Sequence, residues 1–133
     1  MSDWIHACYT DIDAMDLPAV LDRFSADGEI VFGNNPPAVG HTAIGELLTG
    51  FWSTIAGMRH EWRHRWTVDE TTAVLETRVH YTTHAGTDVT VPCVTVCERN
   101  DSDLITSLRV YLDPAPLFER IGAEATATAQ AAR

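Results

Sequence analysis

The spacing of apolar residues changes once along the chain, from helical spacing to strict alternation with polar residues. Before Gly57, helical spacing predicts a first helix that ends near Asp13, with Ser2 or Asp3 as its cap, and further helices over residues 17–24 and 42–55. After Gly57, alternation predicts strands over residues 58–68, 73–83, 89–97 and 104–112. Short polar turns join these strands, so neighbouring strands should be antiparallel.

Helices followed by a run of long, meandering strands are typical of an α+β fold. A further short strand is expected at residues 29–32, and one or two helical turns at residues 114–123. The long strands favour a strongly curved, mostly antiparallel sheet whose concave side is closed by the N-terminal helices. We therefore expect a single domain over residues 1–123, built as a cone-shaped barrel or cystatin-like α+β roll, and a frayed Ala/Thr-rich tail over residues 124–133.

The charge balance narrows the choice of partners. The chain of 133 residues carries 9 basic and 19 acidic residues, and the resulting net charge of −10 disfavours nucleic acid and anionic membrane surfaces. No apolar run approaches the roughly 20 residues that span a bilayer, and no signal peptide is evident. Cys8, Cys93 and Cys97 cannot all pair within one chain, which favours a reduced, cytoplasmic protein.

Cofactor motifs are missing from the sequence. It contains no G-x-G-x-x-G, no P-loop, no G-x-S-x-G and no H-E-x-x-H pattern. Its histidines and carboxylates show no recurring spacing of metal ligands. We therefore expect no cofactor and no metal.

The segment from Phe32 to Trp52 leads from a strand through a Pro-rich turn into a helix, an arrangement suited to the rim of a pocket. Asn34 is its best polar candidate, because an amide can hold a water or a substrate oxygen. The alternative is a simple turn residue ahead of Pro36. The apolar candidates for ligand binding lie on this rim and on one face of the last strand: Phe32, Phe51, Trp52, Leu108 and Val110.

Arg78 and His80 are the leading catalytic candidates. Residues two apart in a strand project from the same face, so a guanidinium that stabilises an oxyanion would lie beside an imidazole that moves protons near neutral pH. Glu76 shares this face and could set the tautomer of the histidine. The alternative, weighted about equally on the residues alone, is a solvent-facing ladder of Glu, Arg and His.

The strand over residues 58–68 leaves one question open. One of its faces carries His60, Trp62, His64 and Trp66, and the other carries Arg59, Glu61, Arg63 and Arg65. An even-length turn at residues 69–72 would place Glu61 beside Arg78 and His80, whereas an odd-length turn or a bulge would place His60 and Trp62 there. His60 and Trp62 are retained as ligand-binding candidates.

Three segments resemble the nuclear transport factor 2-like superfamily, in particular its SnoaL-like and limonene epoxide hydrolase-like branch. They are Asp16 to Asp27, Phe32 to Gly40 and Leu108 to Asp113, and the resemblance covers about Trp4 to Phe118. It implies a cone-shaped α+β barrel with a ligand pocket. Independently, exposed apolar and Arg-rich stripes on the long strands predict a homodimer formed through the outer face of the sheet.

Only some of the functional residues of the hydrolase branch are present at the matching positions of this chain. Arg78-Val79-His80 stands where the hydrolase branch has Arg-x-Asp, so the arginine is kept and the acid is replaced by histidine. Val110 stands where that branch has its water-activating carboxylate. Phe32 and Asn34 match its water-holding Tyr and Asn, so only the amide survives.

The ketosteroid isomerases of the same superfamily match less well, since their base falls near Gly33 and their oxyanion-hole tyrosine at Cys8, with Tyr9 one residue further round the helix. The resemblance therefore implies a cofactor-independent enzyme that acts by acid/base chemistry on a small, apolar, oxygenated polyketide or terpenoid intermediate. Cyclisation, isomerisation, dehydration and epoxide opening are the candidate reactions. His80 would be the general acid/base, Arg78 the oxyanion stabiliser and Asn34 the orienting residue. The alternative is a non-catalytic module of the same fold that binds small molecules or dimerises.

Overall fold

The computed structural model describes residues 3–132, so Ser2, one of the two predicted caps, lies outside the described residues. Helix α1 spans Trp4–Asp13, and the Asp3 side chain caps it by accepting a hydrogen bond from the backbone N–H of His6 at 3.0 Å. The helix ends at the residue predicted from the apolar spacing.

Helix α2 spans Leu17–Asp22. Asp16 is its N-cap, and Pro18 lies in its first turn, where a missing amide hydrogen costs nothing. Helix α3 spans Gly40–Trp52 and starts slightly earlier than the sequence predicts.

Six strands form one mixed sheet within residues 3–132. They are β1 (Phe24–Phe32), β2 (Ala38–Val39), β3 (Gly57–Thr67), β4 (Thr72–Thr82), β5 (Asp88–Arg99) and β6 (Ile105–Leu112). Their order in the sheet is β2-β1-β6-β5-β4-β3. All neighbouring strands are antiparallel except β1 and β6, which run parallel. The predicted α+β class is confirmed, and the sheet is open, with β2 and β3 as its edges.

Strand β1 begins at Phe24, well before the predicted start at residue 29. The register between β1 and β6 shifts between Phe24 and Glu29, so this part of the strand does not alternate regularly. Because alternation is lost in this part of β1, the hydrophobic pattern does not reveal where the strand begins.

The two faces of the sheet differ in burial. In β4, residues 73, 75, 77, 79 and 81 are buried, whereas the alternate residues are partly or fully exposed. The buried face packs against the helices and contributes Leu75, Val79 and Tyr81 to the core, while α1 contributes Ile5 and Cys8 from the other side. This arrangement defines an inner face under the helices and an outer face on the opposite side of the sheet.

The last helix is longer than the sequence predicts. Helix α4 spans Ala115–Ala131, so it does not end near Ala123 but continues through the Ala/Thr-rich segment. It is anchored near its start, where Leu117 is completely buried. Among residues 3–132, no helix has the length and apolar character needed to cross a bilayer.

Candidate functional site

A cavity of about 50 Å³ lies between the inner face of the sheet and the helices. Its wall is almost entirely apolar, with contributions from α1, α3 and every long strand. The lining residues are Tyr9, Ile12, Ile30, Phe32, Leu48, Phe51, Trp52, Met58, His60, Val79, Tyr81, Cys93, Thr95, Leu108, Val110 and Leu112. Only a few of these side chains carry polar atoms, so each polar atom acts in apolar surroundings.

His60 is the only histidine among the residues that line this cavity. Its side chain is 8% exposed, and its Nδ1 lies 2.5 Å from Asp13 Oδ1. The same carboxylate accepts a second hydrogen bond from the backbone N–H of His60, at 3.1 Å from Oδ2. Asp13 therefore fixes both the strand position and the ring of His60.

The Asp13 hydrogen bond decides which nitrogen of His60 can act on a ligand. The carboxylate accepts a hydrogen bond from Nδ1–H, which places the lone pair of the neutral imidazole on Nε2. No hydrogen bond to Nε2 occurs within the described residues 3–132. The ring is thus held as a base whose second nitrogen is unengaged at the cavity wall.

Tyr9 lies beside this histidine. Its ring meets that of His60 edge-on, with centroids 4.7 Å apart, and the residue is 4% exposed. Burial raises the pKa of Tyr9 well above its usual value, so the phenol stays protonated, and its hydroxyl lies within hydrogen-bonding reach of Thr95 and Cys97. Thr95, which is 2% exposed, adds a second hydroxyl to the lining. With Tyr81, the lining therefore combines one histidine with three hydroxyl-bearing residues.

Asp13 occupies an electrostatically unfavourable position. It is the last residue of α1, where the partial negative charge of the helix terminus disfavours a carboxylate. The two hydrogen bonds from His60 offset this cost. Sequence reasoning missed Asp13 as a site residue, although one signal was available: Tyr9 and Asp13 are four residues apart and so share one side of the helix.

Most of the predicted ligand-binding residues lie at the cavity. Phe32, Phe51, Trp52, His60, Leu108 and Val110 all line it. Trp62 does not, although it lies close by, with its ring edge-on to Tyr9 at 5.6 Å. Glu76 lies on the outer face, opposite His64, and is far from the cavity wall.

The expectation that Arg78 and His80 project into the interior is wrong. Arg78 is exposed and His80 half-exposed, and both belong to the outer face because the buried residues of β4 are the odd-numbered ones. His80 Nε2 lies 2.9 Å from Glu61 Oε1, and its Nδ1 lies 2.7 Å from Thr90 Oγ1. This is the solvent-facing alternative that the sequence left open.

The register of β3 explains this outcome. Near the turn, Thr67 pairs with Ala73, which leaves an odd number of residues between them; a bulge between Trp62 and His64 then shifts the register by one. The two effects cancel, so Glu61 faces Arg78 on the outer side while His60 lies opposite Val79 on the inner side. Sequence reasoning weighed an odd turn and a bulge as alternatives, and the strand has both.

Asn34 lies outside the cavity, in the turn between β1 and β2. It is exposed and lines a separate, wider chamber at the mouth. Gly33, the residue before it, adopts φ +56°, which favours glycine. Asn34 can therefore contact a ligand in the mouth but not one held beside His60.

The cysteines are unreactive packing groups. Cys8, Cys93 and Cys97 are free and buried, and burial raises the pKa of Cys8 and of Cys97 to about 12. Within the part of the chain that the structure describes, no three His, Cys, Asp or Glu side chains are grouped closely enough to hold a metal ion.

Comparison with known proteins identifies a family for most of the chain. Residues 5–108 match the SnoaL-like domain family. The sequence has no match among the curated proteins.

Solved structures share the fold at low sequence identity. TerC, crystallised with polyporic acid, is 23% identical with a TM-score of 0.76, and the match covers 90% of this chain and 96% of TerC. A protein of ketosteroid isomerase-like fold from Catenulispora acidiphila, crystallised with trimethylamine, is 16% identical, with a TM-score of 0.78 and coverage of 92% and 94%. SalBIII, an epoxide hydrolase/cyclase-like enzyme of pyran ring formation in salinomycin, is 16% identical, with a TM-score of 0.74 and coverage of 86% and 91%. These matches establish the fold.

Proposed function

Because the chain belongs to the SnoaL-like domain family, we propose that it is a cofactor-independent enzyme that performs acid/base chemistry on a small, apolar, oxygenated metabolite. The observation that carries the proposal is the Asp13–His60 pair at the wall of an apolar cavity. A base that is fixed by a carboxylate and shielded from water is the usual means of moving protons in such sites. His60 takes the role that the sequence had assigned to His80.

The chemistry follows from the positions of His60, Asp13 and the hydroxyls of Tyr9 and Thr95. His60 Nε2 removes a proton from a carbon or hydroxyl of the ligand and later returns it. The charge that develops on a ligand oxygen is stabilised by the hydroxyl of Tyr9 or Thr95, since donors in water-poor surroundings act strongly on such charge. Asp13 stabilises the imidazolium that forms. Isomerisation, dehydration, cyclisation and epoxide opening all need these steps.

The relatives support the substrate class. TerC was crystallised with polyporic acid, and SalBIII acts in the formation of a polyether. Small-molecule binding recurs in the protein crystallised with trimethylamine. The mostly apolar lining of the cavity suits the reacting part of a polyketide or terpenoid intermediate.

The proposal is tested by comparing His60→Ala with His80→Ala. Each protein is incubated in deuterated water with cyclic enones, β-hydroxy ketones and epoxides, and products and deuterium incorporation are followed by mass spectrometry. We expect His60→Ala to lose about 10²- to 10⁴-fold in turnover and His80→Ala to keep wild-type turnover. Full activity in His60→Ala would refute the assignment, and thermal unfolding of both variants controls for folding.

The second candidate is a non-catalytic binding module of the same fold. The replacement of the hydrolase carboxylate by Val110 favours it, because Val110 lines the cavity without a proton to exchange. This candidate predicts that the wild-type protein binds ligands of the panel but converts none of them.

We also propose a cytoplasmic homodimer formed through the outer face of the sheet. This face presents Trp66, Val94 and Tyr111 as exposed large apolar residues, among charges of both signs such as Arg78 and Glu76. Such a mixed surface can pair with a second copy of itself about a twofold axis. Three unpaired cysteines suit a reducing compartment. Sedimentation of the wild type and of Val94→Asp tests the dimer, which the added carboxylate should dissociate.

A further inference from the structure

The cavity beside His60 is too small for the proposed class of substrate. One water needs about 10–15 Å³ of such volume, so a cavity of about 50 Å³ accepts only a few waters. Sites for metabolite-sized ligands usually offer about 300–1,000 Å³. A substrate that reaches His60 must therefore occupy additional space.

That space lies directly outside. An outer chamber of about 450 Å³ opens between the β1–β2 turn, the end of α3 and the start of α4. Its polar atoms come mainly from Asn34, Asn35 and Asp113, and its apolar contacts include Leu47 and Phe118.

Three apolar side chains separate the two chambers. Phe32, Phe51 and Leu112 line both of them and therefore form the partition. Phe51 lies at its centre, with ring centroids 5.0 Å from Phe32, 5.6 Å from Tyr81 on the inner side and 6.2 Å from Phe118 on the outer side.

Phe51 borders the outer chamber from the last turn of α3, which ends at Trp52, and the residue is half-buried. Its neighbour Gly50, which has no side chain, also lines the outer chamber. On the inner side, in contrast, Tyr81 is 1% exposed and belongs to the core. The outer side of Phe51 is therefore the less tightly packed one.

We propose that Phe51 is a specificity-determining residue: its ring divides one continuous site, and the substrate is an elongated apolar molecule that spans both chambers. The oxygenated, reacting end of the substrate lies beside His60, and the other end lies near Asn34 and Asp113. This inference rests on the proposed function for the orientation of the substrate, whereas the division of the site by Phe51 is independent of catalysis.

The test uses ligand binding rather than turnover. Phenol and 4-phenylphenol, which have one ring and two rings in line, are mixed with wild type, Phe51→Ala and Tyr111→Ala, and the quenching of tryptophan fluorescence is followed by stopped flow. Trp52 lines the inner cavity and reports on its occupation. Tyr111→Ala is the control, because Tyr111 is an exposed aromatic residue on the outer face of the sheet and lines neither chamber.

We expect Phe51→Ala to bind 4-phenylphenol about tenfold faster than wild type, because the barrier to reaching the inner cavity is removed. Tyr111→Ala should bind both ligands at wild-type rates. Equal rates for wild type and Phe51→Ala, or the same acceleration in Tyr111→Ala, would overturn the proposal. Phe51→Leu, a smaller change, replaces the alanine variant if that variant unfolds.

Repeating the measurement in an Asp13→Asn background separates this inference from the proposed function. In this background, which lacks the acid/base pair, 4-phenylphenol should still bind faster when residue 51 is alanine than when it is phenylalanine. If turnover depends on His60 but Phe51→Ala changes no binding rate, the proposal for Phe51 is refuted, whereas the proposed enzymatic function is retained.

Discussion

His60 and His80 lie on neighbouring strands of one sheet, and each forms a hydrogen bond with a carboxylate. The His60 side chain is 8% exposed and pairs with Asp13, whereas the His80 side chain is 25% exposed and pairs with Glu61. The Nε2 of His60 lies at an apolar cavity and has no hydrogen-bond partner among residues 3–132. In His80, both ring nitrogens have partners, Glu61 and Thr90.

The difference shows that a histidine–carboxylate pair acquires chemical meaning from its surroundings. On the outer face, water screens the attraction, and such a pair contributes little to stability or reactivity. At the cavity, the same two groups interact in a medium of low polarity, where charge interactions are stronger. A spare nitrogen and a space for a ligand complete the requirements, and only the inner pair has both.

The largest effect should come from exchanging the two carboxylates for amides. Asp13→Asn leaves the shape of the pair intact but lets the amide donate to His60, which disturbs the tautomer with the free lone pair on Nε2. We expect kcat to fall about 100-fold or more, while the matched Glu61→Gln keeps wild-type kcat. The measurement is turnover of whichever substrate the panel identifies.

Asp13 should act on the rate of reaction rather than on ligand binding. Asp13→Asn should therefore lower kcat and leave KM close to the wild-type value, because the cavity lining is unchanged. An unchanged kcat would mean that Asp13 does no more than tie α1 to β3.

Much of the fold could be predicted from the sequence, since periodicity reports which side of each element is buried. The three predicted helices and four long strands all exist close to their expected positions. The exceptions are local: β1 begins at Phe24 because a register shift breaks its alternation, and α4 reaches Ala131 because its packing near Leu117 anchors a segment that has little apolar pattern of its own.

The site could be predicted only in outline. Alternation tells which residues of β4 share a face, but not whether that face is the inner or the outer one. That choice depends on the bulge in β3 and on which face the helices cover. The Asp13–His60 pair joins residues 47 positions apart, so no local spacing indicates it. The apolar lining could be predicted because burial and alternation are linked, whereas the Asp13–His60 pair could not.

The next largest effect concerns stability and compares two valines of β5. Val91 is 1% exposed on the inner face, and Val94 is 38% exposed on the outer face. Val91→Ala should lower the free energy of unfolding by about 2 kcal/mol, because it removes buried methyl groups and leaves a void. Val94→Ala should change it by less than about 0.5 kcal/mol. Urea unfolding followed by circular dichroism measures both.

The same pair of valines bears on the proposed dimer. If a second copy covers the outer face, the cost of Val94→Ala should rise with protein concentration, because association stabilises the folded state by mass action. The loss of unfolding free energy caused by Val91→Ala should be the same at every protein concentration, because Val91 lies on the inner face. Equal costs for the two valines at every concentration would contradict the division of the sheet into a buried and an open face.

The smallest effect concerns the outer pair in acid. Hydrogen bonds from His80 and then Arg63 hold the pKa of Glu61 below its ordinary value of 4.5. A carboxyl whose pKa is lowered by folding contributes stability above its ordinary pKa, and that contribution is lost as the pH falls through the lower folded value. Glu61→Gln should therefore be slightly less stable than wild type at pH 6, and the difference in melting temperature should vanish as the pH falls below 4.5. Because Glu61 is exposed to water, the difference should also shrink in high salt. A difference that stays constant from pH 6 into acid would mean that the ion pair with His80 contributes nothing, and that the outer histidine is a surface residue with an incidental neighbour.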